Sequence, residues 1–92
     1  MSDPFKLASR LDLSASQGLV AHLLSIPKSS PTVLDASEVT HIGALCAQAL
    51  MAAGIRSTAA GGSLDIINTN ERIETQLGSM GLTLSSIMEG RV

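Results

Sequence analysis

Cys46 and His41 are the residues of this sequence whose types could support nucleophilic chemistry. A cysteine attacks as its thiolate, so catalysis would require an activating base and a lowered thiol pKa. His41 is close to Cys46 in the chain, but no third group is evident that would orient its imidazole. We therefore predict that Cys46 is a buried packing residue and that the protein is not an enzyme. His41 is interpreted either as a partner contact or as a solvated residue at a strand end.

Metal, phosphate and acid–base chemistry have less support. The two histidines and the single cysteine do not have the spacing of a metal-ligand cluster, so we predict neither a metal nor a cofactor. Gly61-Gly62 lacks the longer glycine spacing and the Lys-Ser/Thr pair of a phosphate-binding loop. The acidic residues are scattered, without a paired general acid and base. His22 is predicted to lie at a helix surface or boundary.

The composition limits the classes of partner. The formal net charge is −2, and one Phe is accompanied by no Trp or Tyr, so the chain lacks the positive charge and the aromatic platforms that bind nucleic acid. No segment reaches the roughly 18 consecutive apolar residues of a membrane span, and the first residues lack the apolar stretch of a secretory signal. A single cysteine fits a reducing compartment. We predict a cytoplasmic protein without membrane insertion.

The chain is predicted to be organised around residues 32–53, within a single domain of residues 1–92 that has a disordered lead-in over residues 1–4. A strand over residues 32–36 is continuously apolar, which predicts burial on both faces in a parallel or mixed sheet. A second apolar pair then leads through Gly43 into a helix over residues 44–53. Gly54 is predicted to close that helix in the left-handed conformation.

Before this segment, the pattern predicts an edge strand and a helix. Residues 5–13 alternate enough to predict a strand, with a bend near residues 8–10. Ser14 and Gln17 have the spacing of a capping box that begins the helix, and Pro27 ends it. The residues of this helix predicted to face the core are Ala15, Leu19, Leu23 and Ile26.

After the central segment, the pattern predicts a loop over residues 56–62 and a strand over residues 63–69. Asn68 is predicted to cap a helix that Gly81 ends, in which Ile73, Leu77 and Met80 form the buried stripe. The last apolar segment is compatible with either a short strand or a helical turn. Strands that alternate with helices predict an α/β domain, which we expect to contain a mixed, mostly parallel sheet of about four strands with helices packed on it.

Four short segments occur in an order and spacing that are more specific than any one of them. They are Leu11-Asp12; Val33-Leu34-Asp35 followed by Val39-Thr40-His41-Ile42; Gly62-Ser-Leu-Asp-Ile-Ile-Asn68; and Ile73…Leu77…Met80-Gly81-Leu82. In these segments the chain resembles the STAS domain, the fold of bacterial anti-sigma-factor antagonists. The resemblance covers about residues 11–88. It implies the α/β fold of that family and a function in binding regulatory proteins.

The resemblance also identifies a departure from the family. The family's segment at this point usually reads aspartate, serine, serine or glycine, glycine, leucine, and its first serine is the phosphorylation site. The matching positions here are Gly43, Ala44, Leu45 and Cys46. Because phosphorylation requires a hydroxyl, the usual switch cannot operate at Ala44. Ser37 and Thr40 are the alternative phosphoacceptors nearby.

The run from Gly43 to Gln48 is similar to a narrower group. Small single-domain STAS proteins encoded with chemotaxis genes in some alphaproteobacteria carry a similar Gly-Ala-x-Cys-x-Gln run, and some are implicated as partners of the chemotaxis histidine kinase. The helix over residues 44–53 is apolar apart from Gln48, whereas a surface helix of a monomer normally has a polar face. Either side chains as small as Ala47 and Ala52 leave a tolerable exposed surface, or that face meets another protein, and we favour a partner-binding surface. Its predicted members are Thr40, His41, Gly43, Ala44, Ala47, Gln48, Met51, Asn68 and Asn70.

These residues favour a non-catalytic regulator that binds a partner kinase, either a histidine kinase or a kinase of the anti-sigma type. Two alternatives remain open at this point. One is a constitutive STAS subunit of a lipid-transport ATPase complex, and the other is an anti-sigma-factor antagonist controlled without phosphorylation. A homodimer is a further alternative for the assembly.

Overall fold

The computed structural model describes residues 4–27 and 29–90. The elements follow in the order β1 (Phe5–Lys6), β2 (Arg10–Leu11), α1 (Leu13–Ser25), β3 (Pro31–Asp35), β4 (His41–Ile42), α2 (Ala44–Ala59), β5 (Ser63–Ile67), α3 (Glu71–Ser79) and α4 (Leu84–Glu89). Strands alternate with helices along the chain, which confirms the predicted α/β class. Of the predicted lead-in, residues 1–3 lie outside the described residues.

The strands form two parallel sheets. Three strands pair in the order β1-β3-β5, and β2 pairs with β4. All three pairings are parallel, with Leu34 opposite both Phe5 and Ile66. The expectation of one mixed sheet of about four strands is therefore wrong. The physical reason is that residues 5–13 do not continue as one strand: the chain bends after Lys6, and β1 and β2 pair with different partners.

The core lies on one face of the three-stranded sheet. Thr32 and Leu34 of β3 and Leu64 and Ile66 of β5 are buried, whereas the residues between them are half-buried or exposed. Burial of β3 on both faces was therefore wrong. Helix α2 packs against α1, α4 and β5, and α3 packs against β4. The buried apolar side chains form one cluster of Leu7, Leu11, Leu19, Leu34, Ala36, Val39, Ile42, Cys46, Ala47, Leu50, Leu64, Ile66, Ile73, Leu77 and Ile87.

Helix α1 begins earlier than the capping-box pattern predicted. Asp12 is its N-cap, and its carboxylate accepts from the backbone N–H groups of Ser14 (3.1 Å) and Ala15 (3.3 Å). The Ser14 hydroxyl donates to the same oxygen at 2.7 Å, so Ser14 supports the cap and is not the cap itself. A carboxylate is a strong acceptor for unpaired N–H groups at a helix start. The end of the helix, before Pro27, agrees with the prediction.

Helix α2 is longer than predicted, because Gly54 does not end it. The helix continues to Ala59, and Gly61, with φ of 79°, takes the left-handed conformation that was assigned to Gly54. Residues 56–59 are thus helical, not part of a loop. Gly54 is buried inside the helix, where a Cβ atom would overlap the carbonyl oxygen of Ile87. Glycine is needed there for the close approach of α4, which the local pattern of α2 could not indicate.

The last part of the chain contains one further correction. Asn70, not Asn68, caps α3, and its Oδ1 accepts from the backbone N–H of Ile73 at 3.0 Å. Asn68 has a φ of 59°, which places it in the left-handed turn after β5. Ile73 and Leu77 are buried as predicted, with Met80 half-buried. The undecided final segment is a helix, α4, which begins at a reciprocal cap between Thr83 and Ser86.

Candidate partner-binding surface

The start of α2 is held against β2 by the backbone. The N–H of Gly43 donates to the carbonyl oxygen of Leu11 at 2.8 Å. A Cβ atom on Gly43 would lie 3.3 Å from that same oxygen and 3.9 Å from Nε2 of His41. Because Gly43 has an ordinary extended backbone with φ of −91°, the reason for glycine is this close contact and not an unusual dihedral. The half-buried ring of His41 therefore lies beside the first turn of α2.

The free edge of β4 is bound by a side chain that sequence reasoning missed. The backbone N–H of Ile42 donates to Oε1 of Gln76 at 2.8 Å, and Nε2 of Gln76 donates to the carbonyl oxygen of Thr40 at 3.3 Å. A primary amide carries both a donor and an acceptor, so it can replace a neighbouring strand at a sheet edge. The 3.6-residue periodicity of α3 did not identify Gln76 as a residue with a specific contact, because Gln76 lies between the buried and exposed sides of the helix.

Thr40 is exposed, but its polar groups are engaged. Its hydroxyl donates to the carbonyl oxygen of Ser9 at 3.1 Å, and its backbone N–H donates to the same oxygen at 2.7 Å. The backbone N–H of His41 also approaches this oxygen, at 3.3 Å. Thr40 thus helps to hold β4 against the segment before β2. With its carbonyl oxygen bonded to Gln76, both backbone polar groups and the hydroxyl of Thr40 have partners within the protein.

Asn68 and Asn70 are brought to the connection between β3 and β4. Nδ2 of Asn68 donates to Oδ1 of Asp35 at 3.1 Å, and Nδ2 of Asn70 donates to the carbonyl oxygen of Val39 at 3.3 Å. The backbone N–H of Ser37 also donates to Oδ1 of Asp35, at 2.9 Å. This N–H, followed by the Asn68 amide, holds the pKa of the Asp35 carboxyl below its usual value. Both asparagines are exposed, yet their amides already stabilise the fold.

The outer face of α2 differs from the predicted set in one member. Ala44 and Gln48 are exposed and Met51 is half-buried, but Ala47 is 0% exposed and lies in the core. Ala47 therefore cannot contact a partner, and its prediction as a binding residue was wrong. Helical periodicity instead turns Leu45 and Ile55, which are 53% and 40% exposed, to the same side as Gln48 and Ala52. Sequence reasoning missed Leu45 because residues 44–53 are apolar apart from Gln48, and it missed Ile55 because the helix was predicted to end at Gly54.

Cys46 is unsuited to nucleophilic chemistry. Its side chain is fully buried, and its thiol lies 3.5 Å from the carbonyl oxygen of Asp12, to which it donates. Burial, and then the negative charge of Asp12, raise the pKa of the Cys46 thiol. The neutral thiol is the poor nucleophile of the two forms. The expected packing role of Cys46 agrees with this position.

His22 lies at the boundary of α1, as predicted. Its ring stacks on Phe5 with 3.6 Å between ring centroids and 18° between ring planes. Its buried Nε2 atom has no hydrogen-bond partner among the residues that the structure describes. Within residues 4–27 and 29–90, no group of three His, Cys, Asp or Glu residues is arranged to hold a metal ion.

The chain matches no known protein-family model, no curated protein and no solved structure. Across the described part of the chain, no helix has both the length and the apolar character that crossing a membrane would require. The start of α2 is held by backbone hydrogen bonds, and the outer face that follows it is apolar apart from Gln48 and Arg56.

Proposed function

We propose that the protein is a non-catalytic interaction module that regulates a partner protein. Its docking surface consists of Thr40, His41, Gly43 and Ala44 with the outer face of α2, namely Leu45, Gln48, Ala52 and Ile55. The observation that carries the proposal is the exposure of Leu45 and Ile55 on a helix whose single full charge is Arg56. Large side chains that are apolar and exposed on one helix face, with polar residues beside them, are typical of a protein-binding site.

The firm attachment of the first turn of α2 supports this use. Gly43 is fixed to Leu11, and β4 is fixed on one side by Ser9 and on the other by Gln76. A surface that is already rigid loses little conformational entropy when a partner binds. The amides of Asn68 and Asn70 add to this attachment, because they hold the β3–β4 connection that leads into β4.

The resemblance to the STAS domain supplies the class of partner. The partner is a kinase, either a chemotaxis histidine kinase or a kinase of the anti-sigma type. By that resemblance Ala44 corresponds to the family's phosphorylated serine, and it has no hydroxyl. Ala44 is exposed at the first position of α2. Control of binding then comes from the state of the partner or from the amount of the protein. Thr40 already uses its hydroxyl to hold Ser9, which makes it a poor substitute phosphoacceptor.

Capture from native lysate of the source organism tests the proposal. Immobilised wild-type protein should retain a histidine kinase or an anti-sigma kinase, and Leu45→Glu should lose it, because a carboxylate at the centre of an apolar interface is left unpaired. Ile67→Glu is the matched control, since Ile67 is exposed to 37% on β5, outside the docking surface. Retention of a transporter ATPase would favour the lipid-transport alternative. Equal capture by Leu45→Glu would remove α2 from the interface.

Mass spectrometry of the intact protein provides a second test. After incubation with the captured kinase and ATP, we expect no added phosphate. A stoichiometric gain of one phosphate at Ser37 or Thr40 would contradict control without phosphorylation. That result would not contradict the docking surface, so the docking surface and control without phosphorylation can fail separately.

A further inference from the structure

Helix α1 exposes an apolar stripe of its own, separate from the docking surface. Leu13, Val20 and Leu24 are 71%, 40% and 60% exposed, and Gln17 lies between them on the same side of the helix. The spacing of 13, 17, 20 and 24 alternates steps of four and three residues, which is the spacing of one helix face. We call these four residues the α1 stripe. At 1.5 Å per residue it is about 16 Å long.

The residues of α1 beside the stripe add neither a full charge nor an unpaired hydroxyl donor. No residue of α1 is Asp, Glu, Lys or Arg. The hydroxyls of Ser14, Ser16 and Ser25 all donate within the chain, to Asp12, to the carbonyl oxygen of Leu13 and to that of His22. Burying these serines against another surface would therefore leave no unpaired donor. The exposed side of α1 is therefore suited to contact with an apolar, uncharged surface.

The spacing of the α1 stripe is symmetric about its centre. A two-fold axis at the midpoint of the stripe, between Gly18 and Leu19, would set two α1 helices antiparallel. Leu13 of one copy then lies opposite Leu24 of the other, and Gln17 lies opposite Val20. The two Gln17 side chains fall on either side of the axis, about 4.5 Å apart along the helix, where their amides can bond to each other. Such self-matching is what a two-fold interface requires.

We propose that the α1 stripe is a homodimer interface, with a second copy of this chain packed antiparallel on it. The charge distribution favours this occupant over others. A membrane-surface helix carries basic residues beside its apolar side, and α1 has none. A charged protein partner would gain no ion pair on this helix, whereas a second copy brings a face of the same uncharged and apolar character.

The size of the stripe indicates a reversible dimer. One helix per copy covers less than the roughly 1,200–2,000 Å² of a stable interface. Dimerisation should therefore depend on concentration, and it should leave the docking surface on α2 free. The homodimer would present two docking surfaces to a partner. This proposal does not rest on the proposed function, because none of its residues belongs to the docking surface.

Sedimentation velocity over a concentration series tests the dimer. Wild-type protein should show a reversible monomer–dimer equilibrium, and Leu13→Lys and Leu24→Glu should each weaken it by about tenfold or more. An equimolar mixture of these two variants should associate about tenfold more tightly than either alone, because the introduced ammonium of one copy meets the introduced carboxylate of the other only in the antiparallel register. Ile67→Glu, a matched exposed position, should dimerise like wild type.

A second measurement needs no variant. In the wild-type protein, dilution should shift the backbone amide NMR signals of the α1 stripe and leave those of α3 unchanged. A wild-type protein that stays monomeric at the highest concentration, or an Ile67→Glu variant that loses dimerisation as fully as Leu24→Glu, would overturn the proposal. Association of the mixture no tighter than that of either variant would overturn the antiparallel register.

Discussion

Both faces of α2 contain alanine and leucine, yet only one of them is packed against the rest of the protein. Ala47, Leu50 and Gly54 face the core, whereas Leu45 and Ala52 face solvent. Helix α3 shows the ordinary arrangement, in which Ile73 and Leu77 are buried and the charged residues of the first turns are exposed. The outer face of α2 could have been charged at no cost to packing, yet apart from Gln48 and Arg56 it is apolar. That contrast is the physical basis for the docking surface.

The largest effect expected from this contrast comes from one substitution made on both faces. Ala47→Glu should prevent folding, because it places an unpaired carboxylate at a fully buried position, at a cost of about 3–5 kcal/mol or more. Ala52→Glu on the exposed face should change the free energy of unfolding by less than about 0.5 kcal/mol. Far-UV circular dichroism and urea unfolding measure both.

The same pair also separates folding from binding. Ala52→Glu should fold normally and lose the partner, since Ala52 belongs to the docking surface. A folded Ala47→Glu variant would show that the inner face is not packed as described. A stable Ala52→Glu variant with full partner binding would confine the docking surface to the first turn of α2.

One glycine in α2 and one in α1 should respond in opposite ways to replacement by alanine. Gly54→Ala should destabilise the protein by about 3 kcal/mol, because the added Cβ overlaps the Ile87 carbonyl oxygen and forces α2 and α4 apart. Gly18→Ala should stabilise it by about 1 kcal/mol, because Gly18 is a mid-helix residue with no atom near the added methyl group. Thermal unfolding midpoints should move in opposite directions. Equal shifts for the two variants would exclude the close α2–α4 contact as the cause.

The fold was predictable where the local pattern and the tertiary contacts agree. The α/β class, β3, β5, the end of α1 at Pro27 and the buried stripe of α3 all follow from periodicity and turn residues. Gly54 was misassigned because a glycine after an apolar run is normally a helix end. Only the carbonyl oxygen of Ile87, more than thirty residues later in the chain, explains why this glycine lies within a helix.

The candidate surface was predictable in its location and not in its members. Apolar composition identified residues 44–53 as unusual, but a segment whose one polar residue is Gln48 has too little periodic signal to separate Ala47 from Leu45. Gln76 could not be found either, because its partners are backbone groups of a strand remote in the sequence. Long-range backbone contacts of this kind leave no trace in the local pattern.

Substitutions at two glutamines provide a smaller test, which concerns the hydrogen bonds that hold β4 in place. Gln76→Leu removes the hydrogen bonds to Ile42 of β4 and to Thr40 just before it, and it leaves the Ile42 N–H without this partner. It should therefore lower the free energy of unfolding by about 1–2 kcal/mol. Gln48→Leu, on the exposed outer face, should change it by less than about 0.5 kcal/mol. Urea unfolding compares the two. A Gln76→Leu variant as stable as wild type would mean that β4 needs no side-chain support at its edge.

The smallest expected effect is a dependence of stability on pH at the β3–β4 connection. The Ser37 backbone N–H and the Asn68 amide lower the pKa of Asp35 in the folded protein, so the folded state binds its proton less readily than the unfolded state. The ionised carboxylate therefore stabilises the fold fully above the ordinary pKa of about 3.9, and this contribution is lost as the pH falls through the lowered folded value. Asp35→Asn keeps the acceptor oxygen and removes the titration. The fall in the urea midpoint from about pH 5 to about pH 2.5 should therefore be smaller in this variant, and an unchanged fall would mean that the Asn68–Asp35 contact does not distinguish the folded from the unfolded state.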